Sequence, residues 1–133
     1  MKHLSVTSFC IALALALFGA TSAEACSTYL NIKNNTGNTI KIIKGWTQKK
    51  GSGKWIHNSD VTFVASRELP DKVLQAGNNA TWKRHIVTHR KKKTDFRFKV
   101  RYKKKSGKKF GKKTYELTTG WAKCKNGHHA TAG

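Results

Sequence analysis

The segment that most constrains the fold is residues 96–103, Phe-Arg-Phe-Lys-Val-Arg-Tyr-Lys, in which apolar and cationic side chains alternate without interruption. Successive side chains of a β-strand point to opposite sides, so this pattern predicts a strand with one apolar and one cationic face. An α-helix would mix both kinds of side chain around its axis. The apolar face needs a covering layer, which favours a sheet packed against other elements.

Turn sequences divide the rest of the chain into short segments of strand-like composition. Residues 29–33 and 39–42 alternate polar with apolar side chains on either side of the turn cluster Asn-Asn-Thr-Gly-Asn at 34–38. Two alternating segments around a Gly- and Asn-rich turn are typical of a β-hairpin. We therefore expect residues 29–42 to form a hairpin.

A second turn is predicted by Gly-Ser-Gly at 51–53, between Trp46 and Trp55, and residues 55–65 fit a further strand pair or one bent strand. No segment has a sustained period of 3.6 residues, so we expect little helix. The sequence thus predicts an all-β fold, a small antiparallel β-sandwich. Its expected core consists of Leu30, Ile32, Ile40, Ile42, Val61, Phe63, Trp82, Phe96, Phe98, Val100, Tyr102, Tyr115 and Leu117.

The first 25 residues are typical of a secretory signal peptide. A basic start is followed by an apolar run at 9–18 and by Ala-Glu-Ala at 23–25, which fits a cleavage site. The apolar run is too short for a membrane anchor. Lipidation of Cys26 is an alternative, although Ala23 stands where a lipoprotein usually has Leu. We expect a secreted protein, extracellular or periplasmic, with a single domain at 26–125 and a flexible tail at 126–133.

Two cysteines remain after the leader is removed, Cys26 and Cys124, one near each end of the exported chain. In an exported protein such a pair predicts one end-to-end disulfide. Closing a loop of about 100 residues would stabilise the fold by about 4.7 kcal/mol in the chain-entropy treatment. A redox role would favour a local C-x-x-C pair, which the sequence lacks.

Charge is the strongest indication of function. The chain has 27 Lys and Arg against 6 Asp and Glu, a net charge of +21 at pH 7, which loss of the leader leaves unchanged. So few carboxylates disfavour a calcium cage or a hydrolase built on paired carboxylates. The excess favours an anionic partner. The expected anion-binding residues are Arg90, Lys91, Lys92, Lys93, Arg97, Lys99, Arg101, Lys103, Lys104, Lys105, Lys108, Lys109, Lys112 and Lys113.

Several anionic partners fit this charge, with an anionic membrane or cell-envelope surface first. Trp46 and Trp55 flank the basic turn 49–54 and are candidate membrane anchors, although core packing is the commoner fate of a Trp. Extracellular nucleic acid or a sulfated polysaccharide is the alternative. The aromatic residues of 96–103 alternate to the side opposite its cations, which argues against base stacking there.

Catalysis is the least favoured function. A cationic nuclease would need an acid–base pair, two His or a Glu and a His, beside a phosphate-binding lysine. Its candidate groups are His57, His85, His89, Glu68 and Glu116. His85 and His89 have the spacing of a zinc-protease pair, but the segment lacks the Glu of that motif and a strand would hold them about 13 Å apart. We expect no catalytic residues, no metal site and no cofactor.

Residues 31–42, Asn-Ile-Lys-Asn-Asn-Thr-Gly-Asn-Thr-Ile-Lys-Ile, resemble the first hairpin of the aegerolysins, small secreted β-sandwich proteins. Trp46 follows at a suitable distance, and a strand precedes Ala76-Gly77. The resemblance covers about the first half of the exported chain. It implies a β-sandwich and a membrane-facing role. It assigns no functional residues. Separately, binding to an anionic surface would have damage to the target, as a toxin or antimicrobial, as its expected consequence.

Overall fold

A computed structural model describes residues 26–81, 86–88 and 93–133. Its elements are β1 Cys26–Thr28, β2 Leu30–Asn34, β3 Ile40–Lys49, β4 Trp55–His57, α1 Ser59–Glu68, β5 Val73–Leu74, β6 Asn79–Thr81, β7 Ile86–Thr88, β8 Phe96–Ser106, β9 Lys109–Phe110, β10 Tyr115–Thr118 and β11 His128–Ala132. Outside the described residues lie the predicted signal peptide 1–25, Trp82, His85, His89, Arg90, Lys91 and Lys92.

The largest sheet is antiparallel and has the strand order β10-β8-β3-β4, with β5 added to β3 and β9 to β8. β8 pairs with β3 along most of its length, from Phe96 opposite Lys49 to Lys104 opposite Ile40. Every second side chain in the first part of β8 is buried, namely Phe96, Phe98, Val100 and Tyr102. The alternation of residues 96–103 therefore becomes a two-faced strand, as predicted.

A second sheet, β11-β2-β6, and the β1–β7 pair supply the opposing layer. The all-β antiparallel sandwich is confirmed, with the large sheet curled into a half-barrel. Most of the predicted core is buried: Leu30, Ile32, Ile40, Ile42, Val61, Phe96, Phe98, Val100, Tyr102 and Leu117. Tyr115 packs against this core in a half-buried position, whereas the prediction for Phe63 is wrong because its side chain is 55% exposed.

The predicted hairpin over residues 29–42 is wrong, although its turn is present. β2 pairs with β6 and β11, whereas β3 pairs with β4, β5 and β8. The buried Asn34 side chain accepts hydrogen bonds from the Thr36 amide and hydroxyl, and donates to Asn38 O and Leu74 O. This amide therefore fixes a turn that carries the chain from one sheet to the other.

The strand expected over residues 55–65 is also partly wrong, because only β4 is extended and α1 follows it. Asn58 caps the helix by accepting a hydrogen bond from Asp60 N at 3.0 Å. The buried side chains of α1 are Val61, Val64 and Ala65, spaced three and four residues apart. α1 packs on β3 at Gly45, where an added Cβ would lie 2.5 Å from Val61 Cβ.

The predicted flexible tail at 126–133 contains a strand. β11 runs parallel to β2, and His128 and Ala132 are buried. The predicted disulfide between Cys26 and Cys124 is formed, and it fixes the chain just before β11. The prediction failed because β11 pairs with β2, which lies far earlier in the sequence, and local sequence cannot indicate such a contact.

Candidate functional site: a cationic and aromatic sheet face

The large sheet presents a second, outward side to solvent, which we call the cationic face. A bulge between Ile42 and Lys44 shifts the register of β3, so that side chains before and after it reach the same side. The cationic face is formed by Lys41, Lys44, Trp46 and Gln48 of β3, Trp55 and His57 of β4, Arg97, Lys99, Arg101 and Lys103 of β8, and Glu116 and Thr118 of β10.

Like charges lie directly opposite each other on this face. Lys41 is the cross-strand partner of Lys103, and Lys44 is the partner of Arg101. Such pairs destabilise a sheet, by roughly 0.2–1 kcal/mol each. In the described part of the chain the face has one carboxylate, Glu116, which accepts from Arg101 Nη2 at 3.0 Å. The face therefore carries uncompensated positive charge at a cost to the fold.

Three indole rings, Trp46 and Trp55 of the face and Trp121 beside it, alternate with three cations of β8, and we call this arrangement the Trp–cation ladder. Its order is Trp121, Arg97, Trp55, Lys99, Trp46 and Arg101. From ring centroid to cationic group, the five successive steps measure 4.3, 5.1, 4.5, 4.8 and 4.7 Å. Each step lies within the range of a cation–π interaction.

Neighbouring strands hold the ladder in place. The β3–β4 hairpin sets Gln48 opposite Trp55, and Gln48 is in turn opposite Arg97 on β8. Arg97 Nε donates a hydrogen bond of 2.9 Å to Gln48 Oε1, which directs the guanidinium across β3 towards Trp55. A fourth cation, Lys44, lies 5.5 Å from the Trp46 ring. The cationic side chains are thus extended over rigid rings, so they lose little rotamer freedom when they bind an anion.

The predicted anion-binding residues that the structure describes fall into four groups. Arg97, Lys99, Arg101 and Lys103 lie together on the cationic face. The β8–β9 hairpin, with Lys105, Lys108 and Lys109, adjoins the end of the face where Lys41 Nζ lies 5.8 Å from the Phe110 ring. Lys104 and Lys113 instead lie over Tyr115, at 4.4 and 5.2 Å, and Lys112 is exposed beside them.

Lys93 is separate from the face and lines a surface cavity of about 670 Å³ beside the disulfide. Lys123 and Lys125 line the same cavity, and Lys123 forms an ion pair of 3.4 Å with Asp95. This second cationic region therefore lies next to the disulfide and apart from the cationic face.

Trp46 and Trp55 flank the turn as the sequence indicates, but they lie half-buried on the sheet face within the ladder. Trp121, which is 39% exposed, is not among the residues predicted from sequence. The interleaving was not predicted either, because the aromatic residues among the cations come from other segments of the chain and not from β8 itself. Only the pairing of β8 with β3 could have indicated it, because this pairing places an aromatic ring of β3 between the cations of β8.

The described histidines occupy two different environments. His57 lies on the cationic face, 6.5 Å from the Trp46 ring. His128 is buried, with Nε2 at 3.2 Å from both Phe96 O and Ala122 O, and Nδ1 at 3.2 Å from Thr28 Oγ1. Burial lowers the pKa of His128, and the two carbonyl contacts oppose that shift.

The described residues contain no group of three or more His, Cys, Asp or Glu side chains placed to hold a metal ion. No helix within the described ranges is long and apolar enough to cross a membrane. No family model matches the chain, and no curated protein matches it in sequence. The resemblance to aegerolysins and the identity of the anionic partner therefore stay predictions.

Proposed function

We propose that the chain is a non-enzymatic binding protein that attaches to an anionic surface through its cationic face. The observation that carries the proposal is the opposition of Lys41 to Lys103 and of Lys44 to Arg101 on a face with one carboxylate. A bound anion offsets the repulsion between these cations. The proposal therefore gives a binding role to an arrangement that otherwise only weakens the sheet.

An anionic membrane or cell-envelope surface is the first candidate partner. The charge, the basic turn at 49–54 and the exposed hairpin lysines Lys108 and Lys109 suit a plane of anionic headgroups. Because Trp46 and Trp55 are half-buried under cations, we expect attraction by charge to dominate over insertion of the rings. Attachment of this kind weakens strongly with salt.

A linear polyanion, an extracellular nucleic acid or a sulfated polysaccharide, is the second candidate partner. The observation that favours it is the Trp–cation ladder, in which three cations of β8 are each held over at least one indole ring. Binding to a membrane requires a broad charged surface, and its affinity depends little on how the cations of one row are ordered. Both partners require export, which the predicted leader and the disulfide between Cys26 and Cys124 support, since disulfides persist in oxidising compartments. Damage to the bound surface would make the protein a toxin or antimicrobial.

The test compares two triple variants that lose the same charge. The first carries Lys44→Gln, Lys99→Gln and Lys103→Gln on the cationic face. The second carries Lys33→Gln on β2, Arg67→Gln on α1 and Lys125→Gln beside the disulfide, none of which belongs to that face. Binding to vesicles of anionic lipid and to heparin is measured at low salt and at about 0.15 M salt.

We expect the face variant to lose more than tenfold in affinity for its true partner, and the control variant to lose less than threefold. The estimate takes about 0.5–1 kcal/mol for each exposed cation that contacts an anion. Equal losses in the two variants would mean that net charge alone causes binding, and would refute the assignment to the face. Dye leakage from the same vesicles then shows whether attachment damages a membrane.

A further inference from the structure

We infer that the Trp–cation ladder binds one extended chain of a sulfated polysaccharide, lying along β8. This inference rests on the proposed function and specifies its partner. Arg97, Lys99, Arg101 and Lys103 project from alternate positions of one strand, in steps of about 6.8 Å. The row spans about 20 Å from its first residue to its last. Such a row complements a polymer that carries anionic groups at regular intervals along its length.

The rings of the ladder are already occupied, which separates this partner from a single-stranded nucleic acid. Proteins that bind single strands offer free aromatic faces on which the bases stack. Here three cations of the chain itself lie over Trp46, two over Trp55 and one over Trp121. A stacking base would have to displace them. The ladder therefore favours a ligand that is held by its charges and needs no ring contact.

Polar groups beside the ladder suit a sugar chain. Thr118 is exposed and is the cross-strand partner of Lys99, and His57 lies opposite Trp46 on the other side. A hydroxyl and an imidazole at these two positions can form hydrogen bonds with sugar hydroxyls that lie between sulfate groups. The cations thus bind the charges of the polymer, and the flanking residues bind its neutral parts.

In this account Trp55 is a positioning residue, because it holds Arg97 and Lys99 extended and has no contact with the anion itself. Loss of the ring leaves the number of charges unchanged but lets two long side chains move. Trp55→Leu should therefore weaken binding about tenfold with an unchanged salt slope. Lys99→Gln should instead lower the slope of log affinity against log salt by about one unit.

The experiment titrates the disulfide-bonded chain with labelled heparin oligosaccharides of increasing length. The proteins are the original chain, Trp55→Leu, Lys99→Gln and the control Lys33→Gln, which changes an exposed lysine of the second sheet. Single-stranded poly-dT and anionic vesicles are titrated in parallel, with indole emission recorded. We expect affinity for heparin to rise with length up to about 20 Å and then level off, and Lys33→Gln to have little effect. If Trp55→Leu does not fold, the length series and the salt dependence of Lys99→Gln still test the inference.

Three results would overturn the inference. Tighter binding of poly-dT, with quenched indole emission, would identify base stacking. Binding to vesicles without binding to heparin would identify a membrane partner. Heparin affinity that grows with every added sugar, without levelling, would identify attraction by net charge. The first two results leave the proposed function intact if Lys99→Gln still weakens binding. If Lys99→Gln binds heparin, poly-dT and vesicles as tightly as the original chain does, the proposed function is refuted as well.

Discussion

The carboxylate of Glu116 should limit the affinity of the cationic face, and Glu116→Gln should therefore raise it. Glu116 Oε2 accepts from Arg101 Nη2 at 3.0 Å and from Arg101 Nε at 3.2 Å. An anion bound to the free edge of Arg101 would lie roughly 5 Å from that carboxylate. At the dielectric constant of water their repulsion is about 0.8 kcal/mol. Gln keeps an acceptor for the guanidinium but removes the charge.

We expect Glu116→Gln to increase the affinity for heparin about fourfold at low salt, because about 1.4 kcal/mol corresponds to tenfold. The free energy of unfolding should change by less than about 1 kcal/mol, since both side chains of the pair are partly exposed, at 38% and 40%. Fluorescence anisotropy with a labelled heparin oligosaccharide measures the affinity, and denaturant titration measures the stability.

The matched control is Glu68→Gln, at the end of α1 and on the side of the sheet opposite the cationic face. It makes the same change in net charge. Both variants are therefore also compared at about 0.15 M salt, where the charge of Glu68 is screened from groups more than about 8 Å away. If both variants raise the affinity equally, net charge alone determines the affinity, and local repulsion between Glu116 and an anion at Arg101 is not its cause. An unchanged affinity of Glu116→Gln would equally exclude this repulsion.

Three further predictions concern stability. Gly45→Ala should destabilise the fold by about 1–3 kcal/mol in denaturant titration, because the new Cβ meets Val61 at 2.5 Å, and Val61→Ala in the same chain should relieve part of that loss. Burial lowers the pKa of His128 below its ordinary 6.5, so the unfolded chain binds the proton more tightly than the folded chain. The free energy of unfolding should therefore be highest above pH 6.5 and fall as the pH drops below it, and His128→Gln should remove this dependence. Reduction of the disulfide, which joins residues 98 positions apart, should lower the free energy of unfolding by about 2–5 kcal/mol, and an unchanged midpoint would contradict its structural role.

The sequence predicts well what depends on a local pattern. The alternation of 96–103 is enough to establish a two-faced strand and most of its buried residues. Cys26 and Cys124 are the two cysteines outside the predicted leader, and this is enough to predict their disulfide. The strand is predicted from the spacing of its apolar residues, and the disulfide from the number of available cysteines.

What the sequence does not predict depends on pairing between distant segments. The β-branched residues of α1 are typical of a strand. The segment is nevertheless a helix, in which Val61 packs on Gly45 of β3. β11 exists because it can pair with β2. The Trp–cation ladder needs the register of three strands and a bulge, so no single segment contains its pattern.

The most direct test of the account follows backbone amide and indole N–H resonances by NMR while the labelled chain is titrated with a heparin oligosaccharide. The account predicts that the largest shifts fall on β8 between Arg97 and Lys103, and on the indole groups of Trp46 and Trp55. Shifts concentrated on Lys93 and Lys125, beside the cavity at the disulfide, would contradict the assignment of binding to the cationic face.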